Sequence, residues 1–231
     1  MRAVLFDLDG TLLDLDLDAF LLRYFAALER AAAPLAPTAG GTGSFMSAIG
    51  ESTRAMMKRH PGRTNQSVFD EEMLRRTGVD MRTQWPVFEA FYTDVFPGLA
   101  DTAGPAPGAQ RAVFAARALG LRVAIATNPI FPRVAVDHRL AWAGLHGSDA
   151  DVVTTYEQME SCKPYPEYFL QTASLLGVAP QDCLMVGDDP VLDLPARTVG
   201  MRTYYVGPRT DVLADYRGDL HGLANLLPEL V

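Results

Sequence analysis

Short, almost uniformly apolar runs recur along this chain, at Ala3–Phe6, Arg122–Ala126, Asp151–Thr154, Leu184–Val186 and Thr203–Val206. They are rich in Val, Ile, Leu and Tyr, the composition of strands covered on both faces. Between the later runs lie helical patterns. Ala109–Leu119 stops at Gly120, Arg133–Ala143 at Gly144 and Pro166–Leu176 at Gly177, each glycine standing where a helix C-cap is expected. Strand and helix in alternation predict an α/β fold, a Rossmann-like three-layer core around a parallel sheet with right-handed crossovers.

The first strand breaks that rhythm, because nearly the whole first hundred residues precede the second one. Helical patterns fill the gap over Asp18–Ala33, Phe45–His60, Val68–Thr77 and Trp85–Phe96, with breakers at Pro34–Gly43, Pro61–Thr64 and Gly78–Thr83. Two domains are therefore expected: an α/β core from 1–14 and 101–231, and an inserted helical cap over 15–100. The Leu12–Asp18 stretch and the Pro/Gly-rich Pro97–Gly108 would serve as its hinges.

Composition narrows the partners. Hydrophobic residues make up 48% of the chain, enough for packed cores, and 28 acidic against 20 basic side chains leave a net charge of −8. Such a balance predicts no nucleic acid and no membrane partner, since either needs a positive face. The uncharged run Ala31–Gly50 holds prolines and glycines and reads as a loop rather than a span. Two cysteines, Cys162 and Cys183, make no disulfide framework, and the N-terminus lacks a signal-peptide pattern, so the expected compartment is cytoplasmic. All basic residues but Lys58 and Lys163 are arginine, which makes the position of Lys163 informative.

Polar residues gather where the apolar runs end. Asp7-Leu8-Asp9-Gly10-Thr11 follows the first run. Asp7 and Asp9 would face the same side of an extended segment, and two carboxylates so placed imply a shared proton or a cation. A solvated Asp/Gly turn is the other reading. Thr127-Asn128-Pro129 ends the second run, Lys163-Pro164 follows the third, and Gly187-Asp188-Asp189-Pro190-Val191-Leu192-Asp193 ends the fourth. In a parallel sheet these ends share one edge, the one where ligands bind.

These four segments, in this order, resemble the motifs of the haloacid dehalogenase superfamily of phosphohydrolases, and the helical insert matches the position of that family's cap. The resemblance implies Mg²⁺-dependent hydrolysis of a small-molecule phosphate monoester. Asp7 would be the nucleophile that becomes an aspartyl-phosphate, and Asp9 the general acid and base. Thr127, Asn128, Lys163 and the backbone N–H groups of Leu8 and Asp9 would hold the phosphate. The metal would rest on Asp7, the Asp9 carbonyl and Asp188. Asp189 and Asp193 would orient that shell, with Asp189 equally readable as a turn residue. Asp9 argues against a halide leaving group, which needs no proton. Sugar phosphomutase or another phosphotransferase activity is the first alternative, lowered because no histidine precedes His60. A phosphate-ligand binding protein without catalysis is the second. The cap side chains Arg23, Tyr24, Arg54 and Lys58 are candidates for substrate contact, and nothing in the sequence indicates an oligomeric state.

Overall fold

The computed structural model describes all 231 residues. β1 (Ala3–Phe6), β4 (Arg122–Ile125), β5 (Val152–Val153), β6 (Cys183–Gly187), β7 (Arg202–Tyr205) and β8 (Tyr216–Arg217) form one parallel sheet in the order β5-β4-β1-β6-β7-β8. β1 lies at its centre, with Val4 beside Val123 on one side and Leu184 on the other. Alternation along β1 sends Val4 and Phe6 into one apolar layer and Ala3 and Leu5 into the other. The first layer is closed by α5 (Ala109–Ala118), α6 (Arg133–Trp142) and α8 (Leu220–Leu230), and the second by α7 (Pro166–Leu176). Both faces of the strands are buried, which is why the sequence shows them as continuous apolar runs.

Between β1 and β4 the chain builds helices with a core of their own. α1 (Leu17–Ala32) starts where the Asp16 carboxylate accepts the Ala19 N–H at 3.0 Å, and it buries Phe20, Tyr24, Ala27, Leu28 and Ala32. α2 spans Thr42–Met56, earlier at both ends than the pattern suggested, so Lys58 and Arg59 lie outside it and exposed. α3 (Asn65–Thr77) is capped by Thr64 and closed by Gly78 at φ 72°. The expected helix over 85–96 breaks into three pieces: α4 (Trp85–Ala90), a π turn over Phe91–Val95 and 3₁₀ turns over Phe96–Thr102. Pro97 lacks the N–H that an α-helix would need there.

The two connecting stretches expected as hinges pair with each other. β2 (Leu13–Leu15) and β3 (Ala103–Pro105) form an antiparallel ribbon, Asp14 opposite Gly104. Three-residue strands leave too short a pattern to be read from sequence. The insert also packs on the core: Ala135 of α6 belongs to its apolar cluster, and Trp142 stacks on Phe96 at 5.3 Å between ring centroids. No helix is long and apolar enough to cross a membrane.

Candidate active site

Asp7 is the first residue after β1, and its N–H donates to the Val186 carbonyl at 2.9 Å. That backbone bond fixes the carboxylate at the C-terminal edge of the sheet, where it is only 8% exposed. Lys163 reaches it from the loop after β5. Its ammonium donates to Asp7 Oδ1 at 2.7 Å and to Asp193 Oδ1 at 2.6 Å, and the side chain is almost wholly buried. Burial by itself would lower the Lys163 pKa, but the charges of Asp193 and Asp7 outweigh it and hold the amine protonated. The bond before Pro164 is cis.

The loop after β6 supplies the remaining carboxylates. Asp188 accepts the Thr11 hydroxyl at 3.0 Å through Oδ1. Asp193 accepts the Asp189 N–H at 3.0 Å through Oδ2. Asp189 itself turns away from Lys163 and accepts the N–H groups of Val191 and Leu192 at 2.7 and 3.1 Å, so it shapes the turn and Asp193 makes the lysine contact. Two glycines let these segments approach. A Cβ on Gly10, at φ 85°, would lie 2.5 Å from Asp188 Oδ2, and one on Gly187 would collide with the Asp193 carboxylate.

Asp7, Asp188 and Asp193 each offer one oxygen, and the three lie within 4.8 Å of one another. Three carboxylates facing one ammonium leave an excess of negative charge. Burial, reinforced by Asp7, pushes the Asp188 pKa up to about 6, and burial raises that of Asp193 as well. A hard, oxygen-only donor set with surplus negative charge fits a divalent cation of the Mg²⁺ type. Asp193 is already engaged on both oxygens, which leaves Asp7 and Asp188 as the freer donors.

Backbone and hydroxyl donors surround this cluster. The N–H groups of Leu8, Asp9 and Asn128 donate to no backbone carbonyl, and the Thr127 hydroxyl has no partner within the protein. Thr127 is held by its own carbonyl, which accepts Thr154 Oγ1 at 2.7 Å and the Tyr168 hydroxyl at 2.9 Å. Asn128 is used differently: its side-chain oxygen accepts the Lys163 N–H at 3.2 Å and joins the two loops.

Asp9 departs from the arrangement expected of it. Its carboxylate does not turn with that of Asp7 toward the cluster but pairs with Arg139 of α6, while Oδ1 is buried without a partner. Loop geometry explains this, because Asp9 lies beyond the regular strand and the alternation of an extended segment no longer holds there. Burial raises the Asp9 pKa, with Arg139 opposing. Arg139 is 1% exposed, stands 4.5 Å over the Phe131 ring, and leaves Nε and Nη2 unpaired. Sequence reasoning missed it, although a signal existed. Ala135, Val136, Leu140 and Ala143 mark the buried face of α6, and an arginine at 139 falls on that same face.

Of the expected cap contacts, Arg23 pairs with Asp101, Arg54 with Glu51, and Lys58 is exposed. Only Tyr24 lines the large cavity between insert and core. Asn65 was missed too. It is wholly buried at the start of α3 and donates to the Pro129 carbonyl at 2.9 Å and to Cys162 Sγ at 3.3 Å, tying the insert beside Lys163. Burial pushes the Cys162 thiol up to about 12.

A buried Asp-Lys-Asp bridge at the end of the central strand, below a helical insert, is the architecture of one hydrolase class. The sequence pattern of the haloacid dehalogenase-like hydrolases matches residues 1–197, and the chain belongs to that family. A phosphoglycolate phosphatase of Shigella dysenteriae is 30% identical over 207 residues, covering 81% of this chain and 74% of that one. The Bacillus subtilis protein YhcW is 31% identical over 123 residues, and this match spans 52% of the chain and 54% of YhcW, about half of each. The fold is shared with a HAD phosphatase from Thermococcus onnurineus, with a TM-score of 0.61 at 23% identity over 98% of both chains.

Proposed function

We propose that the protein is a Mg²⁺-dependent phosphohydrolase that cleaves a small-molecule phosphate monoester through an aspartyl-phosphate on Asp7. The observation that carries this reading is the Lys163 bridge between Asp7 and Asp193 with Asp188 beside it. A carboxylate can approach a phosphate dianion only if cations lie between them, and the Lys163 ammonium beside Asp7 would supply one. Asp7 and Asp188, with the Asp9 carbonyl, would hold Mg²⁺, which when bound supplies charge neutralisation at the phosphoryl oxygens.

In the first step an Asp7 oxygen attacks phosphorus and the bond to the ester oxygen breaks. Asp9 gives its proton to the departing oxygen. In the second step Asp9 takes a proton from water, the water oxygen attacks phosphorus, and the bond to Asp7 breaks, releasing inorganic phosphate. The Thr127 hydroxyl and the N–H groups of Leu8, Asp9 and Asn128 would bind the non-bridging oxygens. Asp9 must leave Arg139 to do this work, so the Arg139 pair represents a resting position. Phosphoglycolate, named for the Shigella relative, is one of the small monoesters such a site suits.

Phosphate release from a panel of monoesters tests the proposal. Turnover should require Mg²⁺, stop with EDTA, and fall when excess Ca²⁺ competes, because calcium prefers longer and more numerous oxygen contacts. Full turnover in EDTA would refute it.

A further inference from the structure

The rest of the protein leaves Arg139 only partly satisfied. Its guanidinium is 1% exposed, Asp9 is its only ion-pair partner, and Nε and Nη2 are buried with no hydrogen bond. On one side it lies against the Phe131 ring. Beyond that ring Tyr24 meets Phe131 edge-on at 5.5 Å, so a layer of two aromatic rings separates Arg139 from the cavity under the insert. The open side is that of Asp9, whose side chain is 30% exposed.

The reaction has to move Asp9 away from this guanidinium. Its carboxyl must turn toward the ester oxygen, and rotation about its own side-chain bonds can do that with the backbone in place. What stays behind is a buried cation without an anion, facing a gap the size of one carboxylate. A buried charge that loses its partner is costly, and no second carboxylate of the chain pairs with Arg139 to replace the first. Asp9 is therefore held back unless something else fills the gap.

We propose that Arg139 is the residue that reads the alcohol part of the substrate, and that this part carries a carboxylate on the carbon bearing the ester oxygen or on the next one. That carboxylate takes the place of the Asp9 carboxylate on Arg139, and Asp9 is released to the ester oxygen. The assignment rests on the phosphohydrolase reading, which supplies the phosphate end and the role of Asp9. The short spacing follows from the turn itself. Asp9 moves by no more than the length of its side chain, so the place it leaves lies close to the oxygen it goes to serve. The planar fork of Arg139 suits a carboxylate held by two parallel hydrogen bonds, and Nε and Nη2 are free to make them. A neutral alcohol leaves the gap empty, and an ammonium group meets a like charge there.

Phosphate release from 2-phosphoglycolate, ethyl phosphate and 2-aminoethyl phosphate tests this. In the wild type kcat/KM for the carboxylated ester should exceed the other two by roughly tenfold or more, the size of one hydrogen bond to a charged group. In Arg139→Met that preference should collapse, because the carboxylate loses its partner and Asp9 is no longer held back from the other esters. A merely structural role would lower all three alike and keep their ratios. An Arg139→Met enzyme that retains the preference therefore overturns the proposal, as does a wild type that does not favour 2-phosphoglycolate. Either result leaves the phosphohydrolase reading intact. Should the methionine variant fail to fold, Arg139→Gln, which can still hydrogen-bond Asp9, takes the same test. If no ester turns over with Mg²⁺, the phosphohydrolase reading itself fails and the role given to Arg139 falls with it.

Discussion

At the sheet edge Lys163 is shared by Asp7 and Asp193, and Thr11 holds Asp188. Across the Tyr24–Phe131 layer, Asp70 pairs only with the exposed Arg82 at 3.5 Å, and Glu157 keeps one oxygen unpartnered. In the first region Asp7, Asp188, Asp193 and Lys163 are held in place before anything binds, and only Asp9, paired with Arg139, has to turn. The second holds its carboxylates with fewer and longer contacts. Neighbouring regions of one chain thus differ in how tightly their charges are held, with close pairing on the core and looser pairing under the insert.

The sharpest way to break that division is at the sheet edge. Asp7→Asn removes the nucleophile, and turnover of every monoester should vanish, with no phosphate mass on the protein. Asp9→Asn should slow turnover by roughly 10²–10⁴-fold, the share that proton transfer contributes. With a good leaving group the loss falls on the water step, so phosphate should accumulate on the peptide containing Asp7. Phosphate elsewhere, or identical bursts from both variants, would overturn the roles given to the pair.

Arg139→Met probes the seam between the regions. It leaves Asp9 unpaired in a site where the Asp9 side chain is 30% exposed, so the expected loss is about 1–3 kcal/mol in a denaturant midpoint. The double variant with Asp9→Asn should recover much of it. No recovery would mean that Arg139 serves packing on Phe131 instead of the carboxylate.

The smallest effect belongs to the cavity. Burial raises the Asp70 pKa above 3.8, so the folded protein binds that proton more tightly than the unfolded chain does. The stabilisation is complete below about pH 4 and is lost as pH rises through the folded value. Asp70→Asn should therefore stabilise the protein near neutrality by up to about 1 kcal/mol and lose that advantage toward pH 4. A thermal midpoint followed against pH checks it; a destabilised variant at pH 7 would mean that Arg82 already satisfies the charge.

The two regions also differ in how much of them the sequence discloses. Asp7, Thr127 and Asp188 stand at the ends of buried strands, and parallel topology brings such ends together, whereas Lys163 lies well along the loop after β5 and depends on how that loop closes. Short motifs therefore locate the cluster. The choice between Asp189 and Asp193 as the partner of Lys163 depends on how the loop after β6 closes, which spacing does not determine. Arg139 was within reach of helical periodicity on α6, whereas Asn65 was not, because its partners Pro129 and Cys162 are far away in the chain. The cavity is assembled from α1–α4 and the loops after β4 and β5, so no local pattern encodes it. β8 and the β2–β3 ribbon, with strands of two or three residues, are too brief for any periodicity to show.

The ribbon has a genetic consequence. Because Leu13–Leu15 and Ala103–Pro105 are paired, the points where the insert leaves and rejoins the core lie one strand spacing apart, roughly 5 Å. A recombination event that exchanged everything between those two points would deliver a new helical segment onto an unchanged doorway. The register of the central sheet and the position of Asp7 would be untouched, while the tie that Asn65 makes beside Lys163 would have to be replaced. A ribbon of this kind lets the helical segment be exchanged in a single splice without cutting the sheet.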